Sequence, residues 1–338
     1  MYPVVDLEIA RRDPGFVESI SWPGGAKFAA CLTHDVDGIQ QHGRGELWRV
    51  IGLQLRNAST LSKKLLHFAS ISGLRHRPSM RDLFTPWIEA EIAHGFRSTF
   101  FVFPSRVRNR HLRDLAYLWT DKMPFEGRLV SVRDTFREIA AKGWEIGMHG
   151  SINSAFDSEL LTEQRLDVSE AIGRNITAGR QHNLQFEATS TPDHLERAGF
   201  EVDSTLGSNR EIFFRTGSSY PTPLWSLQKN DWLPVTEIPL ILHDGAMMRW
   251  DNLDLSPEEC VKVSKILIDR VAAVRGVITL LWHPENIVKP GYFESYCSLL
   301  DYIKEKNGWG AGATEIANWW KSSGNRDRHA TALSKLET

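Results

Sequence analysis

The sequence predicts an α/β protein: a parallel sheet with helices packed outside it. Three observations lead there. Short runs rich in Val, Ile, Phe or Leu alternate with longer helical segments over most of the 338 residues. Helical segments stop at glycine, as before Gly95 and Gly143. Polar side chains follow directly on several strand runs: Asp35 and Asp37, His149, His182, Asp203, His243 with Asp244, and His283. In such folds chemistry gathers at the carboxyl ends of the strands.

The first strand is expected over residues 28–33 and runs on to Asp35 and Asp37. Side chains alternate along a strand, so Thr33, Asp35 and Asp37 share one face. Two carboxylates on one side of a strand end are costly unless a cation or a reaction needs them. The residues alone leave a metal site and a solvated strand end both open. Residues 38–81 read as a helical insertion or lid, with a helix near 46–57 and a basic turn at 75–78. A helix over 82–94 leads to a strand over 98–103, and a helix over 131–142 to a strand over 144–148 that delivers His149. A helix over 162–174 precedes weaker strands at 179–182 and 201–203. Strands follow at 237–242 and 277–282, separated by a helix over 256–274 with Pro257 in its first turn. Residues 1–26 read as an N-terminal extension, 27–321 as the main domain, and 322–338 as a polar, peripheral tail with a weak helix.

Composition narrows the function classes. Hydrophobic residues at 41% and charged residues at 24% are ordinary for a soluble globular chain with a sizeable core. A net charge of −2 argues against a nucleic-acid or membrane-surface partner. The 12 tryptophans suit core and cleft positions, and an indole also suits the apolar face of a sugar. Cys31, Cys260 and Cys297 are widely spaced without a CxxC pair, which speaks against a disulfide framework or structural zinc. The first residues carry no signal-peptide pattern, and no apolar stretch reaches the length of a membrane span. A cytoplasmic location is the expectation.

Five segments together resemble the polysaccharide deacetylases, carbohydrate esterase family 4 and its relatives, over roughly residues 27–320. They are Thr33-His34-Asp35-Val36-Asp37, the Gly95 to Val102 run with Thr99-Phe100-Phe101-Val102, Met148-His149-Gly150-Ser151, Gly179-Arg180-Gln181-His182, and Leu280-Leu281-Trp282-His283-Pro284. The resemblance implies a distorted (β/α)7-type barrel and a metal-dependent hydrolase acting on a C–N amide bond. It implies Asp35 as general base, Arg180 as the group orienting it, and His283 as general acid. It implies Asp37 and His149 as metal ligands. Asn153 stands where the family carries a second histidine, so the third ligand is expected to be Asn153, a water or His182. Asn153, Asp203 and Trp282 are expected near the substrate, and the pair His243-Asp244 at the cleft. The implied cofactor is a divalent metal, zinc first, with cobalt, manganese or nickel also accepted by a mixed oxygen and nitrogen set. The implied substrate is an N-acetylated sugar or glycan precursor. A non-sugar amide substrate and a catalytically lapsed, carbohydrate-binding member remain the alternatives. His34 is expected to point away from Asp35.

Overall fold

The computed structural model describes residues 1–39 and 81–336. The lid helix and the basic turn expected within 38–81 lie outside the described residues.

The first strand, β1 (Phe28–Val36), is buried along its whole length. Its alternation sorts two environments. Phe28, Ala30, Leu32 and Val36 join the core under the surrounding helices, whereas Ala29 and Cys31 join a second, inner core. Small side chains fill the lower interior of the curled sheet, and Thr33 and Asp35 follow on that same inner face.

The remaining strands of this sheet are β2 (Thr99–Val102), β5 (Glu145–Gly150), β6 (Ala178–Gln181), β7 (Val202–Asp203), β8 (Thr222–Ser226), β9 (Asp231–Glu237), β10 (Leu242–His243), β11 (Val277–Leu281) and β12 (Gly308–Ala311). A separate hairpin is formed by β3 (Lys122–Phe125) and β4 (Arg128–Ser131). The large sheet runs β10-β11-β1-β2-β5-β6-β7-β9-β8, with β12 paired to β1. Its pairs are parallel except β8 with β9. Among the described residues the end strands β10 and β8 do not pair, so the expected (β/α) barrel is an open, distorted one.

The helices are α1 (Val4–Arg12), α2 (Pro14–Ser19), α3 (Thr85–His94), α4 (Val132–Ala141), α5 (Ser158–Ile172), α6 (Thr191–Arg197), α7 (Asp244–Met248), α8 (Pro257–Ala273), α9 (Tyr292–Glu305), α10 (Ala313–Ser322) and α11 (Asn325–Ser334). Local sequence sets their limits. Ser256 and Glu259 close a capping box at the start of α8, with Pro257 at N1. The cap of α3 is Gly95 at φ 77°, a left-handed conformation that glycine adopts without a Cβ clash.

Several elements differ from the sequence expectation, each for a local reason. The run 237–242 splits into β9 and β10 because Pro239, which has no N–H to give a ladder, lies between them. The strand expected over 179–182 ends at Gln181, and the chain turns at His182–Leu184 with Asn183 at φ 55° and Leu184 at φ 50°. The hydrophobic pattern does not mark β12, whose Gly-Trp-Gly-Ala has low strand propensity. Its glycines are needed for space: a Cβ at Gly310 would lie 2.4 Å from the Phe96 ring, and one at Gly308 2.6 Å from Phe28.

The polar tail is not peripheral. Asn325, His329 and Ala332 of α11 are buried, and the His329 ring stacks 5.7 Å from Phe16 of α2. Together α1, α2, α10 and α11 form a floor across the amino end of the sheet. There Trp320 stacks on Tyr220 (5.4 Å, 17°) and on Trp22 (5.6 Å, 24°). Asp6 pins the floor by accepting bonds from Ser219 N (2.7 Å), Ser219 Oγ (2.6 Å) and Ser218 Oγ (2.5 Å). With one end of the curled sheet closed, the carboxyl end is left for a site.

Candidate active site

A cavity of about 260 Å³ opens at the carboxyl ends of β1, β5, β6, β10 and β11. Asp35, Asp37, His149, His182, His243 and His283 are on its wall.

Arg180, on β6, is fully buried under it. A buried guanidinium is tolerable only when its donors are met. Nη1 donates to Thr33 Oγ1 (2.8 Å) and Asp35 Oδ1 (3.0 Å). Nε donates to Ser204 O (2.7 Å) and Nη2 to Ser204 Oγ (2.8 Å). The group also lies 4.6 Å over the Phe101 ring. Asp35 is thereby fixed through one oxygen, and Oδ2 is left for other work.

Asp37 is placed one residue beyond β1, with His149, His182 and His283 around it. The nearest contacts of its carboxylate are His149 Nε2 at 3.4 Å, His283 Nε2 at 3.7 Å and His182 Nε2 at 3.9 Å. All three exceed a good hydrogen bond. Among the described residues Asp37 Oδ1 is buried without a hydrogen-bond partner, and so is His182 Nδ1. Burial alone would raise the Asp37 pKa, but the neighbouring imidazoles override it and hold the carboxyl far below its usual range. His149 Nδ1 faces the Arg180 carbonyl at 3.0 Å. A carbonyl only accepts, so Nδ1 carries the proton and Nε2 presents a lone pair toward Asp37. Burial opposes protonation of this ring, yet the Asp35 and Asp37 carboxylates push its pKa up.

Donor atoms of Asp37, His149 and His182 all lie within 4.8 Å of one another. Two ligands of one tetrahedral zinc sit about 3.3–3.5 Å apart; the Asp37–His149 pair is at that separation, at 3.4 Å, and the Asp37–His182 pair is wider, at 3.9 Å. The unpaired oxygen, the imposed tautomer and the mixed nitrogen and oxygen donor set fit a divalent cation. Behind His182, Asp114 Oδ1 stands 3.6 Å from Nδ1, in line with an outer-shell carboxylate. Burial raises the Asp114 pKa, but His182 and the N–H groups of Ile152 and His111 bring it below its usual range.

A second His/Asp/His group adjoins the first. Asp244 Oδ1 accepts from His283 Nδ1 (2.7 Å) and Gly245 N (2.6 Å). Its Oδ2 accepts from Asn286 Nδ2 (2.7 Å) and His283 N (3.0 Å). Four donors leave this carboxylate no oxygen for a metal. Burial works against a charged His283, but Asp244 outweighs it and moves the imidazole pKa well above its ordinary value. The ring's Nε2 then faces the cavity and Asp37. His243 donates from Nδ1 to Ser208 O (3.2 Å), and burial keeps its pKa low.

The structure thus brings Asp35, Asp37, His149, His182, His283 and Arg180 together. It does not bring Asn153, Asp203 or Trp282 to this wall. Asn153 donates through Nδ2 to Asn109 O (3.0 Å). Asp203 is fully buried and accepts from Thr205 Oγ1 (2.8 Å) and N (3.1 Å). Trp282 is fully buried, with Nε1 donating to Tyr292 O (3.1 Å). Leu281 and His283 flank it on the cavity side, so alternation sends the indole outward. His34 also points outward, between Phe100, Trp87 and Tyr296, bonded to Trp282 O and Glu91. Sequence reasoning expected the pair His243-Asp244 at the cleft without a chemical task for Asp244, and it did not single out Asp114 or Glu285. For Asp244 the signal was present, an acid directly after a strand run. Its tie to His283 follows from the pairing of His243 with Leu281 across β10 and β11.

No protein-family model and no curated protein matches the chain. Solved structures do. One similar chain is a protein assigned as a polysaccharide deacetylase from Mycobacterium smegmatis, at 19% identity and TM-score 0.56, covering 90% of this chain and 93% of that one. Another is the Puue allantoinase, at 16% identity and TM-score 0.57, covering 89% and 92%. A third, assigned as a polysaccharide deacetylase from Pseudomonas aeruginosa PAO1, has 16% identity and TM-score 0.55, covering 88% and 92%. The chain shares the fold of these three structures. Among the described residues no helix is long and apolar enough to cross a membrane.

Proposed function

We propose that the protein is a metal-dependent hydrolase that removes the acetyl group from an N-acetylated sugar or glycan precursor. One observation carries the reading. The unsatisfied donor set of Asp37, His149 and His182 shares a cavity with Asp35 and with the Asp244–His283 pair. Asp37, His149 and His182 would hold the cation, with zinc the first choice and cobalt, manganese or nickel compatible. A divalent cation bound there lowers the pKa of a water and polarises an amide carbonyl.

The chain's own groups supply the proton transfers. Asp35 takes the proton of the attacking water on Oδ2, while Arg180 holds Oδ1. The C–N bond of the acetamide breaks as His283 gives its Nε2 proton to the departing nitrogen. Asp244 keeps the His283 ring oriented through Nδ1–H, which directs Nε2 to the cavity. Acetate and a free amine are the products. The wall also offers Asn183, Asn209, Asn286 and Lys289, groups suited to sugar hydroxyls.

The test is acetate release from a panel of N-acetylated sugars by the chelator-stripped protein before and after metal is restored. Release only with metal is expected. No acetate from any acetamido sugar at full metal loading would sink the reading. The small, polar cavity and the likeness to an allantoinase favour one second reading, hydrolysis of a non-sugar amide. A parallel panel of small amides separates the two.

A further inference from the structure

One acid on the cavity wall has no part in that chemistry. Glu285 lies in the turn Pro284–Val288, two residues past His283, and lines the same cavity. Its Oε2 is buried and has no hydrogen-bond partner among the described residues. A buried polar atom in that state is rare and calls for a partner. The Glu285 stem is packed against the chain just beyond Asp37. A Cβ placed on Gly38 would lie 3.6 Å from Glu285 Cβ and 3.8 Å from its Cδ. The carboxyl is not one of the groups whose donor atoms converge on Asp37, so a cation held there does not account for it.

We propose that Glu285 is a substrate-anchoring residue whose carboxyl hydrogen-bonds a hydroxyl of the sugar that carries the scissile acetamide. The identity of that partner group rests on the sugar-amide reading above. A hydroxyl suits the position because it both donates and accepts, and so pairs with a carboxyl in either protonation state. Burial pushes the Glu285 pKa up to about 8, which favours the neutral form that offers an O–H as well. A site built to bond a substrate hydroxyl discriminates against the analogue that lacks it.

The experiment is calorimetric titration of the full chain, zinc-loaded and zinc-free, with two ligands: N-acetylglucosamine and N-cyclohexylacetamide, which lacks the ring hydroxyls. The expected result for Glu285→Ala is N-acetylglucosamine affinity about tenfold lower with N-cyclohexylacetamide affinity unchanged. Glu285→Gln, which keeps a donor and an acceptor, should stay within about threefold of wild type. Equal N-acetylglucosamine affinity in wild type and Glu285→Ala overturns the proposal. So does equal loss on both ligands, which reports a collapsed cavity, and so does a wild type that binds neither. Acetate release by wild type is scored separately. The expected binding pattern without acetate release removes the reaction and leaves the anchor standing.

Discussion

Asp37 and Asp244 are two carboxylates set among histidines, on strand ends separated only by β11, and their surroundings are opposite. Asp244 receives four hydrogen bonds, all from fixed donors. Asp37 has a buried oxygen with no hydrogen-bond partner among the described residues, and three imidazole nitrogens at 3.4–3.9 Å. The two groups are nearly identical in composition. What separates them is unmet hydrogen-bonding capacity. A full carboxylate can orient and charge its neighbour, while an unsatisfied one can take a cation.

The largest expected effects test that difference directly. Asp37→Ala or His149→Ala should strip stoichiometric metal from the purified protein and abolish acetate release, whereas Asp244→Ala should keep its metal. Elemental analysis of the three variants checks this, and equal metal loss in Asp244→Ala would break the comparison. Next in size, Asp244→Asn should lower kcat by about 10²–10⁴ with metal content unchanged. The sign of its pH effect follows from His283. Asp244 raises that pKa, so removing the charge lowers it, and the alkaline limb of the rate profile should move to lower pH. An unmoved limb would take His283 out of the acid role.

His182→Ala should also weaken metal binding, with Asn153→Ala near wild type. Competition with a chromogenic chelator gives the ranking, and the reverse order would remove His182 from the site. The smallest effect concerns stability of the metal-free protein. His283 has a folded pKa above its unfolded value of about 6.5. Its contribution is therefore complete below that value and is lost as pH rises through the folded pKa. A tenfold gain in proton affinity on folding corresponds to about 1.4 kcal/mol of stability. Urea midpoints measured across that range should fall with pH in wild type and stay flatter in Asp244→Asn.

Much of this site was legible because strand alternation and strand ends are simple geometry. The Asp35 and Asp37 spacing on β1 and the positions of His149 and His283 needed nothing more. His182 was harder. It stands just past the end of β6, where the chain turns through two left-handed residues, one of them a leucine, a conformation that composition does not announce. Asp114 comes from an irregular loop that no periodicity marks. Trp282 is the instructive miss: proximity to His283 suggested substrate contact, yet alternation alone already sent it outward. The floor was missed for another reason. The last helix reads as polar, and only its packing on Phe16 and Tyr220 gives it a buried side.

Arg180 performs two tasks from one residue. Its carbonyl fixes the His149 tautomer while its guanidinium grips Asp35. The proposed proton acceptor and the proposed cation ligand are thus referenced to a single peptide unit of β6. A displacement of Arg180 along the sheet would therefore be felt by Asp35 and by His149 at once.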